Sequence, residues 1–184
     1  MVTLFATGVL GVGSSSSGVS PTPTTIPVSA SSLYSRVYKL VVKQLGPGYP
    51  NPQRLVALQL STVRPEGQQP TTTEGGSALS DYRSLYIEYR LLDHPLRSWR
   101  LKTAKSEVFT LLKVLYTSGL PIYNVELDGQ FMLPDHGKLR EERALLAYID
   151  HVTAGTIPWR TWGRDHEGQV WGILPFKSVD PRFA

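Results

Sequence analysis

The sequence predicts an α+β domain: a mainly antiparallel sheet of four to five strands with two helices on one face. Three observations carry that prediction. Residues 33–45 and 103–118 set apolar side chains at helical spacing, four other runs alternate apolar and polar residues with a period of two, and Gly- or Pro-rich punctuation separates them. With 184 residues and 41% hydrophobic content, the chain has material for one core. We therefore expect a single domain over residues 31–184, preceded by an apolar, low-complexity segment over 1–30.

The opening "MVTLFATGVLGVGSSSSGVSPTPTTIPVSASS" joins an apolar run to a Ser/Thr/Pro-rich stretch. That order is expected of the end of an export signal followed by a linker, although no basic leader precedes it. Leu33, Val37, Leu40 and Val41 then form one stripe, with Ser32 as a candidate N-cap and Gly46-Pro47-Gly48 as the stop, which predicts the first helix. "RLVALQLSTV" (54–63) and "SLYIEYRLL" (84–92) alternate as half-buried strands. The polar Gly/Pro/Thr-rich stretch between them reads as a long, mobile hairpin connection.

Val108, Leu111, Leu112 and Leu115 define the second helix, closed by Gly119 and Pro121, with Lys105, Glu107 and Lys113 on its wet side. "IYNVELDGQFML" and "ERALLAYI" alternate again and are joined by Pro134-Asp135-His136-Gly137-Lys138, a hairpin in which Gly supplies a positive φ and Asp bonds the backbone. Thr153 starts a short helical turn ended at Ile157-Pro158. Trp159, Trp162 and Trp171 crowd the tail, where "QVWGILPF" reads as a last strand or an extended seal over the core.

Net charge is +4, unevenly spread: residues 33–64 carry five basic and no acidic side chains, whereas 122–152 carry six acidic and three basic ones. The basic stretch makes an anionic polymer or nucleic acid an alternative ligand. Arg83, Arg90, Arg97, Arg100, Lys102 and Lys105, interleaved with Tyr86, Tyr89 and Trp99, are the ingredients of a stacking surface, but strands carry aromatics in any case and nucleic acid is a disfavoured partner for an exported chain. The absence of cysteine excludes disulfides, thiol catalysis and thiolate-bound zinc. No run approaches the roughly 20 apolar residues needed to cross a bilayer, which leaves membrane-surface proximity as the expected relation to a membrane.

All four histidines follow an aspartate: Asp93-His94, Asp135-His136, Asp150-His151 and Asp165-His166. Adjacent residues on a strand point to opposite faces, so each doublet is a poor ligand pair locally. His136 and His151 fall at opposite ends of the predicted hairpin, which leaves His94, His151 and His166 as the set that could meet to hold a metal for a hydrolase. Glu126 and Asp128 could serve as paired carboxylates, but the alternation makes them the solvent side of a strand. The chain has no G-x-S-x-G elbow, phosphate loop, G-x-G-x-x-G or H-E-x-x-H, so we assign neither catalytic residues nor a cofactor.

"GQFMLPDHGK", "TAGTIPW" and "DPRF" together resemble the C-terminal part of a group of uncharacterised bacterial exported or lipid-anchored proteins. The likeness rests on Gly129, Phe131, Leu133, Asp135, Gly137, Ile157, Trp159, Pro181 and Phe183 and covers about a third of the chain. Pro158 and the missing anchoring cysteine depart from the pattern. The resemblance implies export and a non-catalytic role. The expected function is thus an extracytoplasmic binding or structural-interaction module with a protein or cell-envelope partner, such as a subunit of an envelope complex. The alternatives are the metal-dependent hydrolase and the anionic-polymer binder.

Overall fold

The computed structural model describes residues 28–48, 53–63 and 82–184. The proposed export segment and the connection after the first strand lie outside these residues, apart from Val28–Ala30 of the segment. In chain order the elements are α1 (Val28–Leu45), β1 (Leu55–Thr62), β2 (Arg83–Arg90), α2 (Arg97–Thr117), β3 (Ile122–Asp135), β4 (Lys138–Ile149), α3 (His151–Gly155), α4 (Glu167–Ile173) and β5 (Phe176–Val179). None of the described helices is long and apolar enough to span a membrane.

The strands form one five-stranded sheet in the order β1-β2-β3-β4-β5. Three pairings are antiparallel, but β2 and β3 run parallel, so the sheet is mixed. The cause is α2: a strand followed by a long helix returns to the same end of the sheet and starts again in the same direction. The chain thus remains α+β, with a βαβ crossover at the centre of an otherwise antiparallel order.

Alternation sorts the sheet's faces. Leu85, Ile87 and Tyr89 of β2, Val125 and Leu127 of β3, and Leu145, Ala147 and Ile149 of β4 are buried at every second position. They share one core with Val37 and Val41 of α1 and with Val108, Leu111, Leu112 and Leu115 of α2. Each such aliphatic side chain contributes roughly 1.5–3 kcal/mol by leaving water.

Two helices start earlier than expected. α1 begins at Val28, before the candidate cap Ser32, and α2 begins at Arg97. Both end as the sequence predicts, at Gly46 and Gly119, where φ values of 63° and 70° are left-handed and no Cβ is needed. The β3–β4 turn is tighter than predicted. It is the pair His136-Gly137, with φ of 45° and 80°, the signature of a two-residue turn whose twist matches the strands.

The tail departs most. "QVWGILPF" is neither a strand nor an extended seal: α4 occupies Glu167–Ile173, and β5 begins only after Pro175. Val170 is buried at the helix centre, Ser106 Oγ of α2 donates to Glu167 Oε1 at 2.6 Å, and Lys105 Nζ lies 5.2 Å from the Trp171 ring. Contacts to α2 thus fix a helix that Gly168 and Gly172 weaken locally.

Candidate functional site

A cleft of about 670 Å³ lies between the end of α1, the residues before β1, one flank of α2, and the segment 164–167. Helical spacing aligns Trp99, Thr103, Ser106, Glu107 and Thr110 of α2 along it. Opposite them stand Gln44, Leu45 and Arg54, with Arg164, Asp165 and Glu167 closing one end.

Its floor is a buried ion pair. Arg54, 3% exposed, donates from Nη2 to Glu107 Oε1 at 2.6 Å, from Nη1 to the Leu45 carbonyl at 2.6 Å, and from Nε to the Arg90 carbonyl at 2.9 Å. One guanidinium therefore caps the carbonyl end of α1, where a cation suits the helix dipole, and ties it to β2 and α2. Burial pushes the Glu107 carboxyl above its usual range against the pull of Arg54 and of the Leu92 backbone N–H. Glu107 Oε2 and the Tyr89 hydroxyl are buried with no hydrogen-bond partner among the described residues. Burial, reinforced by Glu107, also raises the Tyr89 pKa well above its ordinary value.

Its mouth is polar and carries both signs, Lys102 and Arg164 standing with Asp165 and Glu167. Trp99 is 51% exposed, stacked on His94 with ring centroids 5.3 Å apart, and Lys102 Nζ stands 5.3 Å from the same indole. Lys102 and Arg164 make no ion pair among the described residues. The site can thus hold an anionic group beside a flat aromatic surface. Within it the Ser106 hydroxyl donates to Glu167 Oε1 at 2.6 Å, and Glu107 is committed to Arg54.

The four Asp-His doublets resolve into local roles. Asp135 flanks the β3–β4 turn and pairs with Arg140 at 3.1 Å. Asp150 is the N-cap of α3, accepting from the Thr153 N–H at 2.7 Å. Asp93 holds Arg100 at 3.1 Å, while His94 Nδ1 accepts from the Leu96 N–H at 3.1 Å, just ahead of α2. Asp165 lies 3.0 Å from His166 in a 3₁₀ turn.

His94, His151 and His166 stack on different aromatics, namely Trp99, Tyr123 and Trp162. No three His, Asp or Glu side chains gather in a metal-binding arrangement among the described residues. The structure therefore does not bring together the histidine set that the sequence left open.

The other candidates are also redistributed. Arg90 pairs with Glu141, Arg97 donates to the carbonyls of Pro181 and Ala184, Tyr89 is buried, and Tyr86 bonds Asp128, so the interleaved basic and aromatic residues form no common stacking surface. Of the basic stretch 33–64, Arg54 is buried, Arg64 lies outside the described residues, and Arg36, Lys39 and Lys43 line a smaller cleft of about 350 Å³ with Leu40, Ser118 and Leu120.

Glu126 and Asp128 are not equivalent. Glu126 is half-buried, but Asp128 is 1% exposed on the polar sheet face. Its Oδ2 accepts from Arg143 at 2.8 and 2.5 Å and from the Tyr86 hydroxyl at 3.1 Å, and Oδ1 accepts from Gln130 at 2.9 Å. Burial, and after it the Asp128 carboxylate, push the Tyr86 pKa up to about 12. Nothing local marks Arg54 or Asp128 as buried in the sequence.

The residues that carry the family resemblance prove to be packing and turn residues. A Cβ on Gly129 would lie 2.9 Å from Leu91 Cδ2, Phe131 meets Phe183 edge-on with centroids 5.0 Å apart, and Leu133, Ile157 and Trp159 are buried. Comparison of the chain with protein-family models, with curated proteins and with solved structures returns no match.

Proposed function

We propose that this chain is a non-catalytic, extracytoplasmic binding or structural-interaction module, a subunit of a cell-envelope assembly whose partner seats an acidic group in the α1–α2 cleft. In this reading both long helices lie on the apolar face of the sheet, as their shared core supports, and the cleft opens beside them. The observation that carries the proposal is the pairing of a buried floor, Arg54 with Glu107, with a mouth whose cations, Lys102 and Arg164, make no ion pair among the described residues next to exposed Trp99. Such a cleft favours binding, because Lys102 and Arg164 make no ion pair among the described residues while the buried pair fixes the walls in place. Export rests on the composition of the N-terminal segment.

Binding of a poly(glycerol phosphate) wall polymer to the immobilised chain tests this. The variant Lys102→Glu/Arg164→Glu is expected to weaken it about tenfold or more, and raised salt to weaken the native protein's binding as well. Equal binding by the variant removes the cleft from consideration. A second reading places an anionic polymer on Arg36, Lys39 and Lys43, which α1 sets along one flank. Loss of binding on reversing those charges, with the cleft variant unaffected, favours that reading.

A further inference from the structure

The two edges of the sheet are built differently. β5 has four residues, carries Lys177, and lies between Pro175 and Asp180-Pro181, features that blunt a strand against pairing. β1 has eight residues, LVALQLST, without a charge or a proline, and among the described residues it pairs on one side only. Val63 donates its N–H to the Tyr82 carbonyl at 3.3 Å, and Ser61 and Gln59 stand opposite Ser84 and Tyr86. By the period of two, the backbone groups of Leu58, Leu60 and Thr62 therefore point away from β2.

A second exposed surface lies on α1. α1 packs against β1 and α2. Its Arg36, Lys39 and Lys43 line a cleft with Ser118 and Leu120, which follow α2, so that flank faces α2. Tyr34, Tyr38 and Val42, at i, i+4 and i+8, occupy the opposite flank, turned away from that cleft. All three are exposed, and the two tyrosines stack on each other with centroids 6.3 Å apart.

We infer that this edge pairs with the same edge of a second copy of the chain, antiparallel about a two-fold axis through Leu60. That register matches Leu58 with Thr62 of the second copy and Leu60 with itself, so the outward N–H and C=O groups of three residues in each copy close six hydrogen bonds. The strand is uncharged, so self-pairing sets no like charges against each other. A charged or specifically shaped partner would leave this uniform edge without complementary features, whereas a second copy supplies its complement by symmetry. The inference is independent of what the cleft binds.

The mass of the full chain in solution tests it. A dimer of the 20.4 kDa chain is expected at micromolar concentration. Gln59 and Ser61 are exposed and lie on the polar face, so Gln59→Lys/Ser61→Lys should leave the monomer folded while raising the dimer Kd about tenfold or more. Because the chain is cysteine-free, register can be read directly: Gln59 faces Ser61 of the second copy at a Cα separation of about 4.5 Å, within disulfide reach. A mixture of Gln59→Cys and Ser61→Cys chains should cross-link under mild oxidation, and each variant alone should not. A native chain that stays monomeric into the millimolar range overturns the inference. So does a Kd unmoved by the lysine variant, or the absence of a cross-link in the mixture.

Discussion

Arg54 and Asp128 are the two charged residues buried outright among those described, and they are satisfied in opposite ways. Arg54 reaches across elements: it spans the end of α1, the end of β2 and the middle of α2, using two backbone carbonyls and one carboxylate. Asp128 stays within the sheet, taking Tyr86 from one neighbouring strand, Arg143 from the other and Gln130 from its own. Its cation is itself half-exposed, whereas the carboxylate beside Arg54 is buried with it. The first pair is therefore a joint between layers largely withdrawn from solvent, and the second is a sheet-surface network that solvent can partly replace.

The largest expected effect is at the joint. Arg54→Met should cost about 3–5 kcal/mol in denaturant unfolding, because Glu107 is left buried without its cation and two carbonyls lose a donor. Adding Glu107→Leu should recover a large part of the loss. A double variant no more stable than the single one would show that the carbonyl contacts, not the ion pair, matter at this joint. Asp128→Asn should cost less, about 1–3 kcal/mol, since Arg143 can turn to water. A loss equal to that of Arg54→Met would erase the distinction.

The smallest effect is a pH dependence at the joint. A carboxyl whose folded pKa is raised binds its proton more readily in the native state, so its contribution to stability is present at low pH and is lost as pH rises through the folded value. For Glu107 the window opens at its ordinary value of 4.5 and extends upward. The melting temperature of the native chain minus that of Glu107→Gln should thus decline as pH increases across that window. A rising difference would mean that Arg54 overcomes burial and holds the carboxyl low.

The contrast also explains what could be read in the sequence. α1, β1, β2, α2 and the β3–β4 hairpin are visible because Val37, Val41, Leu85, Ile87, Leu111 and Leu115 repeat with the period of their own element. Local order writes that signal. The parallel β2/β3 pairing, the burial of Arg54 and Glu107, and the helix α4 depend on residues tens of positions away. Arg54 lies 53 positions from Glu107, and Ser106 lies 61 from Glu167, and no window of sequence contains either pair. The cleft was illegible for the same reason: its residues are scattered in the sequence among separate readings, Trp99 and Lys102 in a stacking surface, Arg54 in the basic stretch and Asp165 in an Asp-His doublet. Asp135 and Asp150 were the reverse case, since turn and cap chemistry is local, although for Asp150 its place before a short helix had to be seen.

The two-residue turn at His136-Gly137 also bears on the order in which the sheet assembles. A hairpin closed by so short a turn forms in about 1–10 μs, whereas β2 can join β3 only after the whole α2 crossover has been closed against loop entropy. The β3–β4 ribbon should therefore exist before its parallel neighbour arrives, with the β2-facing side of β3 unpaired in the interval. Peptide amides of β3 that bond β4 should accordingly gain protection from hydrogen exchange earlier in refolding than the amides of β2, and the parallel seam at the centre of the finished sheet should be among the last pairings to close.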